Sequence, residues 1–248
     1  MRYRETSNPL LREGVFLARS GGAAEGAMTV QGTWNRVGIL FALTAAAALF
    51  SWTFPYGDMR GLGSKLALFT VAGFVLALAT VFRRDWAPYT APAYAVAEGL
   101  VMGSLSRLFD LAYPGIVVQA VALTLGIFGS LFLLYRFQIL KVSDRMRRAV
   151  AAATMGICLV YLVGMVMRLC GGNGLGFLHQ PTPFSILFSL FVVAVAAFNL
   201  VISFDFIDQV ARLGAPRHME WYAAFGLIVG LIWLYVEVLN LLAKLRRD

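Results

Sequence analysis

Charged side chains are scarce in this sequence and make up only 14% of its 248 residues. Soluble domains usually carry about 25% charged residues and about 45–50% apolar ones. Here 60% of the residues are hydrophobic and the mean hydropathy is +0.75. This composition excludes an ordinary soluble fold and predicts a protein that exposes much of its surface to hydrocarbon.

Cysteine is nearly absent, because the chain has only Cys158 and Cys170. They lack the CxxC or Cys/His spacing of zinc sites and disulfide frameworks. The sequence also lacks a GxSxG nucleophile motif, an HExxH motif and the protein-kinase signatures. We therefore expect no enzymatic activity and no resident cofactor.

Acidic residues are fewer than basic ones, and the formal net charge is +8. The basic residues form small clusters between apolar stretches instead of one polar face interleaved with aromatics, so we expect no nucleic-acid partner. Cytoplasmic loops of membrane proteins are enriched in Lys and Arg. The positive charge therefore indicates the orientation of the chain in a lipid bilayer.

Seven apolar segments are each about as long as a membrane-crossing helix, which needs roughly 20 residues. They predict an all-α integral membrane protein with spans over residues 36–54, 62–82, 89–109, 115–135, 149–169, 184–204 and 221–242. Residues 1–34 are predicted to form a flexible tail, since they cannot bury enough apolar surface to fold, and residues 35–248 the membrane domain.

The strongest signal for orientation is the basic connector between the fourth and fifth spans, from Arg136 to Arg148. Placing the N-terminus in the cytoplasm puts this connector on the same side as the tail, Arg83 and Arg217. That arrangement collects about two thirds of all Lys and Arg on the cytoplasmic side. An odd number of spans then leaves the C-terminus outside.

Four acids fall within or at the ends of the apolar segments: Glu98, Asp205, Asp208 and Glu237. Placing a charge inside a bilayer costs roughly 2.5–3.5 kcal/mol, so each acid needs a partner, water or a function. Asp205 and Glu237 would meet if the last two helices are neighbours. Two such carboxylates would share a proton or bind Ca²⁺, and would act as a pH-sensitive latch.

Each acid also has a structural interpretation. Asp205 would be hydrated at the membrane interface, and Asp208 would be a solvated residue at a helix end. Glu237 would be hydrogen-bonded to an asparagine or a tyrosine, and Glu98 would pack against a neighbouring span. An intramembrane hydrolase built on Asp205 with Asp208 or Glu237 is a further alternative.

The end of the chain carries a recognisable pattern. It runs Asn199-Leu-Val-Ile-Ser-Phe-Asp205-Phe-Ile-Asp208-Gln209, then Gly214-Ala-Pro-Arg-His-Met-Glu220-Trp-Tyr-Ala-Ala-Phe225-Gly, then Leu234-Tyr-Val-Glu237. This pattern resembles the Bax inhibitor (TMBIM) family, and specifically its bacterial branch. The segment Ala91-Pro-Ala-Tyr-Ala-Val-Ala-Glu98-Gly-Leu-Val-Met-Gly103 resembles the third span of that branch.

The resemblance implies six helices around a central seventh, in the inner membrane of a bacterium. It also implies a pH-sensitive calcium leak governed by two acids, which match Asp205 and Glu237. The second acid of the family is usually Asp, whereas this chain has Glu237. Asp208 is an alternative to Asp205 as the match for the first acid. The alternative is a non-transporting membrane protein that binds and modulates a membrane protease or another membrane complex.

Overall fold

The computed structural model describes residues 26–53, 59–171, 176, 180 and 182–246. These residues form seven α-helices, with one turn of 3₁₀-helix at Arg84–Trp86 before the third. The helices are α1 Val30–Thr53, α2 Met59–Phe82, α3 Ala87–Ala112, α4 Ile116–Arg136, α5 Asp144–Leu169, α6 Pro183–Arg212 and α7 Met219–Leu245. Each predicted span corresponds to one helix, so the all-α prediction is confirmed.

Five of the described helices, α1 and α4 to α7, are long and apolar enough to cross a membrane singly. The segments Leu66–Phe82 and Arg84–Ala112 pass the same test only together, and they are bent by 119° where they meet. Many large apolar side chains lie on the outside of the bundle. Leu49 is 69% exposed and Val118 is 73% exposed. An apolar outer surface of this kind is suited to lipid, and the chain is an integral membrane protein.

The last helix is the most buried of these five candidate spans. It packs against α1, α3, α4 and α6, while α2 packs against α3, and α5 packs against α6. The fully buried side chains of α7 include Leu227, Ile228, Leu234 and Leu239. This core fixes α7 in the interior and leaves α5 at the periphery.

Small residues let α1 and α3 approach each other closely. A Cβ atom at Gly103 would lie 2.1 Å from the carbonyl oxygen of Ala48, and one at Gly99 would lie 2.5 Å from that of Thr44. No side chain larger than hydrogen fits at these distances without moving the backbone. The two helices therefore pack backbone against backbone, as small-residue spacings allow in membranes.

The first helix begins six residues before the predicted span, inside the segment predicted to be a flexible tail. Met28 donates a backbone hydrogen bond to Ala215 (2.7 Å), and Arg217 donates one to Gly26 (2.8 Å). Trp34 packs edge-on against Phe132, with 4.9 Å between ring centroids. Residues 26–34 therefore belong to the folded bundle, while residues 1–25 of the predicted tail lie outside the described residues.

Candidate functional site

Asp205 lies on α6, and its carboxylate is paired with an arginine of the neighbouring helix. Its Oδ2 accepts hydrogen bonds from Arg147 Nη2 and, at 3.0 Å, from Gln209 Nε2. The Asp205 side chain is 17% exposed and the Arg147 side chain 33%. Asp205 is therefore held in an ion pair between α5 and α6.

Arg147 reaches Asp205 because α5 begins earlier than the predicted span. Ser143 caps this helix by accepting a hydrogen bond from the backbone N–H of Met146, and Asp144 lies in its first turn. Residues 144–148 were predicted to be part of the basic connector. In the structure they form the first turn of α5, and Arg147 faces α6.

Glu237 is buried in α7 and is paired with uncharged donors. Its Oε1 accepts hydrogen bonds from the hydroxyl of Tyr161 at 2.9 Å and from Trp233 Nε1 at 3.2 Å. Only 3% of the residue is exposed. The structure thus gives Glu237 the tyrosine partner that the structural interpretation of this acid anticipated.

The structure does not bring Asp205 and Glu237 together, so the predicted direct contact between these acids is wrong. The helices α6 and α7 run antiparallel, and Leu200 lies against Gly230, where an added Cβ would be 3.1 Å from Leu200 Cδ2. From that level, Asp205 lies toward one end of the bundle and Glu237 toward the other. The separation is about twelve residues of helical rise, or roughly 18 Å.

The partners of both acids lie on one face of α5. Arg147 contacts Asp205, Tyr161 contacts Glu237, and the hydroxyl of Thr154 between them accepts a hydrogen bond from Asn199 Nδ2 at 2.8 Å. These three residues of α5 are spaced seven apart, so they recur every two turns on the same side of the helix. We call this row of α5 residues, together with its partners on α6 and α7, the polar seam.

A cavity of about 360 Å³ continues the seam beyond Glu237. The next residue in the seven-residue series, Arg168, lines it together with Tyr161, Glu237 and Lys244. Lys244 Nζ donates to the hydroxyl of Ser189 at 2.6 Å. The described part of α5 therefore carries a polar side chain every two turns from Asp205 to this cavity, and buried Val150 and Ile157 lie between them in apolar contact with α6.

The two remaining predicted acids lie apart from Glu237. The carboxylate of Asp208 accepts a hydrogen bond from the hydroxyl of Tyr135 on α4 at 2.7 Å, and it faces the same end of the bundle as Asp205. Glu98 faces α2, where a Cβ atom at Gly73 would lie 2.9 Å from Glu98 Oε2. Glu98 thus packs against a neighbouring helix at a position where glycine leaves room for it.

Among the described residues, no three His, Cys, Asp or Glu side chains lie close enough together to hold a metal ion. Ca²⁺ usually takes six to eight oxygen ligands. A site for Ca²⁺ bound jointly by Asp205 and Glu237 is excluded by their separation in this structure.

A comparison with models of known protein families matches residues 8–247 to the family described as Bax inhibitor 1 like. The chain belongs to the Bax inhibitor 1-like family. No curated protein and no solved structure matched the chain. Family membership agrees with the helical, lipid-facing architecture.

The stretch from Gly214 to Gly226, which carries much of the resemblance to the Bax inhibitor family, ties the ends of three structural elements together. Buried Glu220 accepts hydrogen bonds from the backbone N–H and the hydroxyl of Thr29, at 2.9 and 3.0 Å. Its Oε2 lies 3.0 Å from Arg36 Nε in an ion pair, although the N–H is not aligned for a hydrogen bond. The Arg84 guanidinium lies over the Tyr222 ring.

Sequence reasoning missed Glu220, Arg36 and Arg147 as members of buried or half-buried ion pairs. Glu220 and Arg36 lie near predicted span ends, where charges are ordinarily hydrated, so neither stood out. For Arg147 the available signal was the seven-residue spacing of Arg147, Thr154, Tyr161 and Arg168, since polar residues inside a membrane helix usually pair with one another or line a path.

Proposed function

We propose that this Bax inhibitor family member is a pH-sensitive leak pathway for cations, Ca²⁺ or protons, that follows the polar seam. In this proposal all seven helices cross the membrane of a bacterial cell, with α7 in the middle. The N-terminus is cytoplasmic, which places Asp205 near the cytoplasmic face and Glu237 nearer the opposite face. The two acids then act in series along one route instead of as a contacting pair.

The observation that carries the proposal is that α5 supplies a partner to each acid. Inside a membrane, polar side chains are costly and usually line a path or pair with one another. Here the polar residues of α5 recur in a line that runs from Asp205 through Thr154 to Glu237. A small outward movement of α5 would separate this line from α6 and α7 and admit water.

The ion pair between Arg147 and Asp205 closes the cytoplasmic end in this proposal. The pair is held together while Asp205 is ionised, and protonation of the carboxylate removes the attraction. Acid is expected to increase the leak, because it frees the first turn of α5 from α6.

The cavity beside Glu237 forms the other end of the route. Arg168 and Lys244 line it along with Glu237, and their two positive charges repel cations in the closed arrangement. Among the described lining residues Glu237 is the single acid, and it offers a passing cation a compensating charge. The arrangement supports a slow leak instead of a fast channel, because cations must pass two fixed positive charges.

Purified protein in liposomes loaded with a fluorescent Ca²⁺ indicator tests the proposal. Native protein is expected to admit Ca²⁺ faster at acidic than at neutral pH, whereas Asp205→Asn combined with Glu237→Gln should abolish this response. Protein-free liposomes provide the baseline. The same increase in entry on acidification with native protein and with the double variant would reject the acid-dependent route. Entry with native protein no faster than in protein-free liposomes would favour the non-transporting partner-binding alternative.

A further inference from the structure

A second cavity of about 340 Å³ lies away from the polar seam, among α1, α3, α4 and α7. Its lining is almost wholly apolar and includes Phe41, Leu49 and Leu125. These three side chains are 42%, 69% and 43% exposed, so the wall between α1 and α4 is open toward the surroundings of the bundle. In a membrane, that side of the protein meets lipid acyl chains.

One side chain in this cavity, Thr124, has a hydroxyl that could form a hydrogen bond with a ligand. The hydroxyl of Thr124 lines the cavity and is buried, with 4% of the residue exposed, and it has no hydrogen-bond partner among the described residues. Nearby, the hydroxyls of Ser106 and Tyr235 satisfy each other at 2.6 Å. A buried hydroxyl without a partner costs about 1–3 kcal/mol. An occupant with a polar atom at that depth would remove this cost.

A positive charge lies next to the lining of the same cavity, near the end of α3. Trp52 lines the cavity, and its backbone carbonyl accepts a hydrogen bond from Arg107 Nη1 at 2.8 Å. Measured from the turn that joins α3 to α4, Arg107 is about 8 Å along its helix and Thr124 about 12 Å. The order from the membrane surface is therefore a cation, then a hydroxyl acceptor or donor, then apolar surface.

We propose that this cavity binds one phospholipid of the surrounding bilayer. Its phosphate lies at Arg107, the ester carbonyl of one chain accepts a hydrogen bond from Thr124, and that acyl chain fills the apolar interior. The order of groups in a phospholipid matches the order of residues in the cavity, and charge complementarity selects an anionic phosphate at the mouth. This proposal does not depend on ion conduction.

Two adjacent alanines of α1 provide a matched test. Ala45 lines the cavity, whereas Ala46 is exposed and is not part of the lining. The protein is reconstituted in bilayers that contain phosphatidylglycerol with a photoreactive diazirine on its acyl chain. Crosslinks are then mapped to peptides by mass spectrometry. Native protein and Ala46→Phe should show concentrated labelling of the α1, α4 and α7 segments that line the cavity.

Ala45→Phe fills the cavity, and labelling of these segments is expected to fall about tenfold, which corresponds to 1.4 kcal/mol of binding. Thr124→Val, which keeps the shape but removes the hydroxyl, should reduce labelling by a smaller factor, and Arg107→Gln should also reduce it. Thermal unfolding of each variant verifies folding. Labelling spread evenly over all lipid-facing helices, or unchanged in Ala45→Phe, would overturn the proposal by showing only general lipid contact.

Discussion

Tyr161 on α5 donates its hydroxyl hydrogen to Glu237 on α7 across 2.9 Å, while Arg147, about four turns earlier on the same face of α5, pairs with Asp205 on α6. One peripheral helix thus holds both acids that the sequence singled out. This relationship replaces a single acidic pair with two separate contacts, and each contact can be removed independently.

Removing the arginine of the first contact should open the leak without acid. Arg147→Gln leaves Asp205 without its cation, so Ca²⁺ entry into liposomes at neutral pH is expected to rise about tenfold, the change given by about 1.4 kcal/mol. Arg148→Gln is the matched control, because Arg148 is exposed and bonds to the carbonyl of Asp144 in its own helix, not to α6, in the part of the chain that the structure describes. Equal leaks in the two variants would contradict the role of Arg147.

Two variants at the second contact distinguish the role of the Glu237 charge from the role of its hydrogen bond to Tyr161. Glu237→Gln removes the acid of the outer cavity, so Ca²⁺ entry at acidic pH is expected to fall about tenfold. Tyr161→Phe keeps the carboxylate and removes one donor, and it should mainly lower the unfolding free energy by about 1 kcal/mol. Flux assays and thermal unfolding of both variants measure these effects. A larger loss of flux in Tyr161→Phe than in Glu237→Gln would contradict the assignment.

Buried Glu220 is expected to matter for stability. Glu220→Gln leaves Arg36 without its counter-charge in a half-buried place, and removal of one partner from a buried ion pair costs about 3–5 kcal/mol. Because Arg36 is 18% exposed, the lower part of that range applies. Thermal unfolding in detergent measures the loss. The double variant with Arg36→Met should recover part of it, and no recovery would contradict the role of Glu220 as the counter-charge of Arg36.

The glycines provide a test of the packing between α1 and α3. A methyl group at Gly103 would collide with the backbone of Ala48, so Gly103→Ala should destabilise the bundle by about 1–3 kcal/mol. Nothing lies within 4 Å of a Cβ at Gly226, so Gly226→Ala should be neutral or slightly stabilising. Thermal unfolding of the two variants and of native protein measures this difference in stability. Similar melting curves for both would contradict the close approach.

Much of the fold follows from the sequence, since apolar segments about 20 residues long leave little choice but helices. The helix ends were less predictable. Ser143 caps α5 before a run of arginines that hydropathy assigns to a loop, and the backbone of residues 26–28 pairs with the connector before α7. Both features depend on hydrogen bonds that hydropathy does not detect.

The candidate site was predictable only in part. Asp205 and Glu237 are prominent because charge is costly in hydrocarbon. Their separation depends on the register of α6 against α7, which is fixed by the contact of Leu200 with Gly230 and by the bond of Lys244 to Ser189. A sequence shows that two helices are neighbours more readily than which residues lie at the same level.

The central claim, two acids that act in series along one seam, is tested most directly by Ca²⁺ flux in a double-variant cycle at neutral pH. The four proteins are native, Asp205→Asn, Glu237→Gln and the double variant. The account predicts that Asp205→Asn raises the leak, Glu237→Gln lowers it, and the double variant loses most of the increase, with the two effects multiplying as for independent sites. Identical effects from each single variant and the double variant would show a coupled pair and contradict the account.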